Sequence, residues 1–104
     1  MQGALNLLGL CERAGKLKSG LDGCEQAVKR QGARLCLVDA GASGPSRKAM
    51  EDACRFAGAR LYVLPAGALG HAIGKPGRMA AAVMDEGFAA RLVQLLDGAK
   101  EHGV

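Results

Sequence analysis

Apolar residues along this chain fall into short blocks whose spacing switches between helical and extended periods. From Met1 to Ala14 the residues Ala4, Leu5, Leu7, Leu8 and Cys11 form a broad helical stripe, and Gly15 is a natural stop. Lys16-Leu17-Lys18 is long enough only for a minimal edge strand. Leu21, Cys24, Ala27 and Val28 restart the helical period. They predict a second helix from about Gly20 to Arg30, stopped at Gly32, with Ser19 as its N-cap. Arg34 to Val38 is a continuous apolar run, the mark of a strand buried on both faces, and Leu61 to Leu64 reads the same way. Between them a third helix follows Pro45, capped by Ser43 or Gly44, and runs to about Phe56 before Gly58. A short helix, Ala68 to Ile73, closes at Gly74, and Lys75-Pro76-Gly77 makes a turn. Met79 to Met84 is a third apolar strand. Asp85 or Glu86 opens a last helix on Phe88, Ala89, Leu92, Val93, Leu95 and Leu96, with Gly98 to Val104 expected to fray. Helices alternating with strands predict an α/β fold, a three-layer α/β/α sandwich with a mixed sheet of about four strands, as one domain over residues 1–104.

Composition sharpens that picture in two places. A chain of 104 residues has room for one core, and with only Phe56, Phe88 and Tyr62 aromatic that core must be aliphatic. Cys11, Cys24, Cys36 and Cys54 each sit inside an apolar pattern, form no C-x-x-C, and have no histidine at ligand spacing. They read as buried, reduced thiols of a cytoplasmic protein that binds no metal, and no apolar run is long enough to span a bilayer.

Charge is distributed unevenly. The formal charge is +4, and up to Arg34 six cations (Arg13, Lys16, Lys18, Lys29, Arg30, Arg34) face three acids (Glu12, Asp22, Glu25). Asp85, Glu86, Asp97 and Glu101 gather near the C-terminus, so one end should be more basic than the other. The stretch from Arg13 to Val28 joins lysines to a glycine-containing helix start at Ser19-Gly20, with Gly23 one turn on. Exposed helix amides beside cations form a ready phosphate site, although a solvated loop-to-helix junction has the same composition. Loops that follow strands cluster at one sheet edge. Asp39 to Gly44 and Lys75 to Arg78 should therefore lie near each other and near that helix start, with Gly41 and Gly44 offering amides and Lys75 and Arg78 charge.

Catalytic readings find little support. Asp39 ends a strand as a receiver-domain phosphoacceptor does, but the chain opens with a helix and carries no earlier acidic pair and no late strand-end lysine. It reads as a polar strand end facing solvent. His71 has no nucleophile beside it and reads as a surface histidine, and no G-x-S-x-G or Walker sequence occurs. The chain is not expected to be an enzyme.

Leu69-Gly70-His71-Ala72-Ile73-Gly74, between one apolar strand and the next, resembles a pattern of the kink-turn-binding ribosomal protein family (the seven-Ae and thirty-e group). The order of elements is similar over nearly the whole chain. Leu8-Gly9-Leu10-Cys11-Glu12-Arg13-Ala14-Gly15-Lys16-Leu17 and Val83-Met84-Asp85-Glu86-Gly87-Phe88-Ala89 resemble its small bacterial YlxQ-like branch. The resemblance implies RNA binding at the start of the second helix. There the family places a Gly-x-Asn-Glu stretch and, one turn later, a lysine on the sheared G·A pairs of a kink-turn. By position Gly20 keeps the glycine, while Asp22 replaces the asparagine, Gly23 the glutamate and Gln26 the lysine. An ionised Asp22 can only accept hydrogen bonds, Gly23 has no side chain to read with, and Gln26 is neutral. Each missing bidentate pairing with a base forfeits about 1–3 kcal/mol of discrimination, so altered or weaker specificity is expected.

The expectation is thus a non-enzymatic, ribosomal-protein-like RNA-binding protein for structured, kink-turn-like RNA, associated with translation in a cytoplasmic ribonucleoprotein. Lys16 and Lys18 would hold phosphate, Ser19, Gly20 and Gly23 would meet the groove, and Asp22 and Gln26 would touch bases. The loops carrying Gly41, Lys75 and Arg78 would close on the RNA. Expected partners are structured RNA, ribosomal RNA included, and proteins of the translation or transcription machinery, with no cofactor, metal or membrane. Two alternatives remain: a protein-interaction module on the same fold, and a nucleotide site built on the Asp39 to Pro45 loop.

Overall fold

The computed structural model describes residues 1–30 and 32–102, with side-chain environments through residue 98. In chain order the elements are α1 (Gln2–Arg13), β1 (Leu17–Ser19), α2 (Leu21–Lys29), β2 (Leu35–Asp39), α3 (Gly44–Ala57), β3 (Leu61–Leu64), α4 (Ala68–Ile73), β4 (Ala80–Val83) and α5 (Glu86–His102). The strands form one mixed sheet in the order β1-β4-β2-β3. β4 runs antiparallel to both β1 and β2, and β2 runs parallel to β3.

Period-two alternation in the central strands divides the core between two faces. Leu35 and Leu37 of β2, with Ala81 and Val83 of β4, join Ala4, Leu8, Leu69, Leu92 and Leu96 under α1, α4 and α5. Cys36, Ala80 and Ala82 point the other way, onto Cys24, Val28, Met50 and Cys54 of α2 and α3. Small residues on β4 let α2 pack close to the sheet, and the result is three layers.

Four local expectations are corrected. Ser19 does not cap α2: it is the last residue of β1, paired with Ala81, and the N-cap is Gly20, with no side chain bonded to the first-turn amides. β3 is not buried on both faces, because it is an edge strand and Val63 is 46% exposed. Asp39 does not face solvent but is completely buried. α5 continues as helix to His102, past the predicted fray point at Gly98, and residues 103–104 of that expectation lie outside the described residues. The Ser43 cap forms as expected, its hydroxyl accepting from the Ser46 amide at 3.3 Å.

Gly70 explains why the Leu69–Gly74 pattern needs a glycine. A Cβ there would lie 2.9 Å from the Lys75 carbonyl oxygen and 3.2 Å from the Gly77 nitrogen. α4 therefore folds directly onto the turn that launches β4.

Candidate nucleic-acid interface

The sheet register brings four junctions to one end of the molecule. Ser19 of β1 pairs with Ala81, Val38 of β2 with Ala80, and Asp39 with Leu64 at the end of β3. The start of α2, the loop after β2, the loop after β3 and the segment entering β4 therefore share an edge.

At its centre is Gly20, with φ +90° and ψ +148°, a conformation open essentially to glycine alone. Its amide donates to the Ala80 carbonyl at 2.9 Å, fixing the entrance of α2 to β4. Arg78 is drawn against the same residue, with Nη1 2.8 Å from where a Gly20 Cβ would lie. The predicted approach of the 75–78 loop to the helix start is thus made by Arg78.

Down the flank of α2 runs a groove of about 250 Å³, lined by Lys18, Gly23, Gln26, Ala27, Arg30, Gly32 and Met84. Lys18 reaches it from the exposed edge strand, whose position is held in part by the Cys24 thiol donating to the Lys18 carbonyl at 3.6 Å. Burial first, then the neighbouring Cys54 and Glu25, pushes the Cys24 thiol up to about 12, so it stays a neutral donor. Lys16 stands at the far end of β1, its carbonyl accepting from the Met84 amide at 2.8 Å. Asp22 is exposed in the first turn of α2, where its charge suits the helix dipole and opposes an incoming phosphate.

Two expected residues are engaged elsewhere. The Gly41 amide is not free, because it donates to Asp39 Oδ1 at 2.7 Å. Lys75 lies 2.8 Å from Glu12 Oε1 of α1, so its charge is paired. The loop after β2 is closed on itself by the Asp39 and Ser43 bonds, a poor cradle for a nucleotide phosphate. Arg30 was not among the predicted site residues, yet it lines the groove. The signal was available: Gly23, Gln26 and Arg30 recur at the spacing of one helix face.

Ion pairing separates the cations into two groups. Arg34, Arg47, Lys48, Arg55, Arg60 and Lys75 each pair with a carboxylate. Among the described residues, the unpaired cations are Lys16, Lys18, Lys29 and Arg30 along β1 and α2, Arg78 beside them, and Arg13 and Arg91.

The chain is 38% identical over 92 residues to the RNA-binding protein YlxQ of Bacillus subtilis, covering 88% of this chain and 92% of that protein. This chain belongs to the YlxQ family. A second YlxQ, from Enterococcus faecium and also named an RNA-binding protein, is 32% identical over 98 residues, covering 93% of this chain and 94% of its own. No protein-family model matches the chain. Among solved structures, a protein of unknown function from Bacillus halodurans superposes with a TM-score of 0.86 at 33% identity, over 90% of this chain and 96% of its own. The 15.5kD RNA binding protein of Giardia lamblia superposes with a TM-score of 0.72 over 90% of this chain and 84% of its own. At 22% identity that likeness shows the shared fold. Among the described residues no group of side chains is arranged to hold a metal, and no helix is long and apolar enough to cross a membrane.

Proposed function

We propose that the chain is a non-enzymatic RNA-binding protein, acting as one domain, that grips structured RNA along β1 and α2. The observation that carries this reading is the concentration of unpaired cations there, while cations on α3 and at the opposite sheet end are matched by acids. Two YlxQ relatives named RNA-binding proteins support the same class of ligand. Lys16, Lys18, Arg30 and Arg78 take phosphates, and the uncapped start of α2 at Gly20 gives the backbone close access. Gln26 offers both a donor and an acceptor to a base edge, while Asp22 accepts from a guanine amino or imino group. Gly23 leaves room in the groove rather than a reader. Contacts are therefore weighted toward the RNA backbone, with a kink-turn-like fold as the shape recognised. A ribosomal or translation-associated RNA in the cytoplasm is the setting this reading favours.

The test is a titration against a kink-turn RNA and a variant lacking its G·A pairs, each over a range of salt. Phosphate contacts release counterions, so log K should fall with log[salt] by roughly 0.7–0.9 per phosphate engaged. Preference for the intact kink-turn supports shape recognition, and equal binding to both RNAs supports a backbone binder of another target. Absence of binding to both overturns the proposal and favours the protein-interaction module.

A further inference from the structure

Asp39 is the one buried charged residue among those described, with no exposed surface. It ends a strand of otherwise apolar residues, all of them buried. An ionised carboxylate removed from water is costly unless hydrogen bonds replace the lost hydration. Its replacements come from two separate loops. Oδ1 accepts from the Gly41 amide at 2.7 Å, and both oxygens accept from the Gly67 amide, at 3.1 and 2.9 Å. Gly67 is the N-cap of α4, the helix that folds onto the turn before Arg78. The backbone of Asp39 reaches the same segment, its amide donating to the Met79 carbonyl at 2.8 Å. Met79 follows Arg78, and the next residue, Ala80, accepts the Gly20 amide.

We propose that Asp39 is a positioning residue for RNA binding, a clasp that holds the loop after β2 and the start of α4 together so that Arg78 is presented beside Gly20. This inference rests on the RNA-binding reading above. Packing alone would be served by an apolar side chain at this place, as it is throughout the rest of β2. A carboxylate does what an apolar residue cannot: its two oxygens take amides from both loops at once. Gly41 fits the arrangement because a Cβ there would lie only 3.0 Å from Asp39 Oδ1.

Asp39→Asn keeps the shape and removes one acceptor. With the NH₂ at the Oδ1 place the Gly41 amide loses its acceptor; with it at the Oδ2 place Oδ1 still serves both amides, but the NH₂ stands against the Gly67 N–H where an oxygen had accepted at 2.9 Å. Hydrogen exchange of the free protein should then show the Gly41 or Gly67 amide exchanging about tenfold faster, the scale of one missing charge-assisted bond. Affinity for the kink-turn RNA should fall by a similar factor. Leu92→Val, in the buried face of α5, is the control for lost stability, read at a temperature where both variants are fully folded. The proposal holds if Asp39→Asn weakens binding while Leu92→Val binds as wild type. Equal affinity of Asp39→Asn and wild type overturns the clasp alone, as does equal weakening by both variants. Failure of the wild-type chain to bind either RNA overturns the RNA-binding reading and the clasp with it.

Discussion

The guanidinium of Arg78 stands over Gly20, its Nη1 2.8 Å from the place a Cβ would take. One residue supplies a cation and the other supplies the absence of a side chain, so the two positions depend on each other. Gly20→Ala should therefore fail twice. A side chain is strained at φ +90° by about 1–3 kcal/mol, and the methyl must displace Arg78. A lowered melting temperature and weaker RNA binding are expected. Arg78→Ala should weaken binding with little change in melting temperature, because Arg78 is exposed.

Lys18 and Arg30 line one groove without ion pairs among the described residues, so their contribution should be electrostatic and separable from folding. Lys18→Ala and Arg30→Ala should each lower the slope of log K against log[salt] by roughly 0.7–0.9. Each should shift stability by less than about 0.5 kcal/mol, as surface substitutions usually do. An unchanged slope in both variants would remove these residues from the interface.

Glu12 holds Lys75 at 2.8 Å, and its other oxygen, Oε2, is buried without a hydrogen-bond partner. Glu12→Gln retains an acceptor for the lysine but removes the negative charge. RNA affinity at low salt should rise by about two- to threefold, and the gain should fade as salt screens it. Stability should change by no more than about 1 kcal/mol, since the pair is partly exposed. A fall in affinity would show that Lys75 must stay on α1 to do its work.

All four cysteines are buried and free. Burial, helped by Asp85 and Glu12, pushes the Cys11 thiol from the ordinary 9.0 to about 11, and Cys24 rises from 9.0 to about 12. The Cys36 thiol is raised by its hydrogen bond with Cys54 and by burial. Groups held protonated in the folded chain bind more protons there than in the unfolded chain above pH 9. Stability from Cys11 and Cys24 is therefore fully present below about pH 9 and declines as pH rises toward 11–12. Urea melts at about pH 8 and about pH 10.5 should show the drop. Ellman's reagent should react slowly with the native protein and promptly with four thiols after unfolding.

The order of helices and strands was legible because apolar spacing reports which face an element buries. Leu35-Cys36-Leu37-Val38 could hardly be anything but a central strand. Leu61 to Leu64 shows the limit of that signal. An apolar run does not reveal whether a strand has neighbours on both sides, and Val63 lies on an edge strand. Ser19 has the right chemistry for a cap, but pairing with Ala81 keeps it in the sheet, a long-range constraint that local propensity does not contain. Lys18 was readable as a candidate from the run of cations before α2, Gly20, Gly23 and Gln26 from the family resemblance, and Arg78 from the loop-edge rule. The Asp39 clasp was not, because the Gly67 amide it takes lies a whole helix and strand away.

The three-residue strand β1 has one partner, β4, which is made more than sixty residues later. Until Ala80 is in place to accept it, the Gly20 amide lacks the bond that fixes the entrance of α2 to the sheet, although α2 packs on Met50 and Cys54 of α3. A fragment ending before β4 should therefore carry the same lysines yet lack the Gly20–Ala80 junction, and weaker RNA binding by that fragment than by the whole chain is the expected outcome.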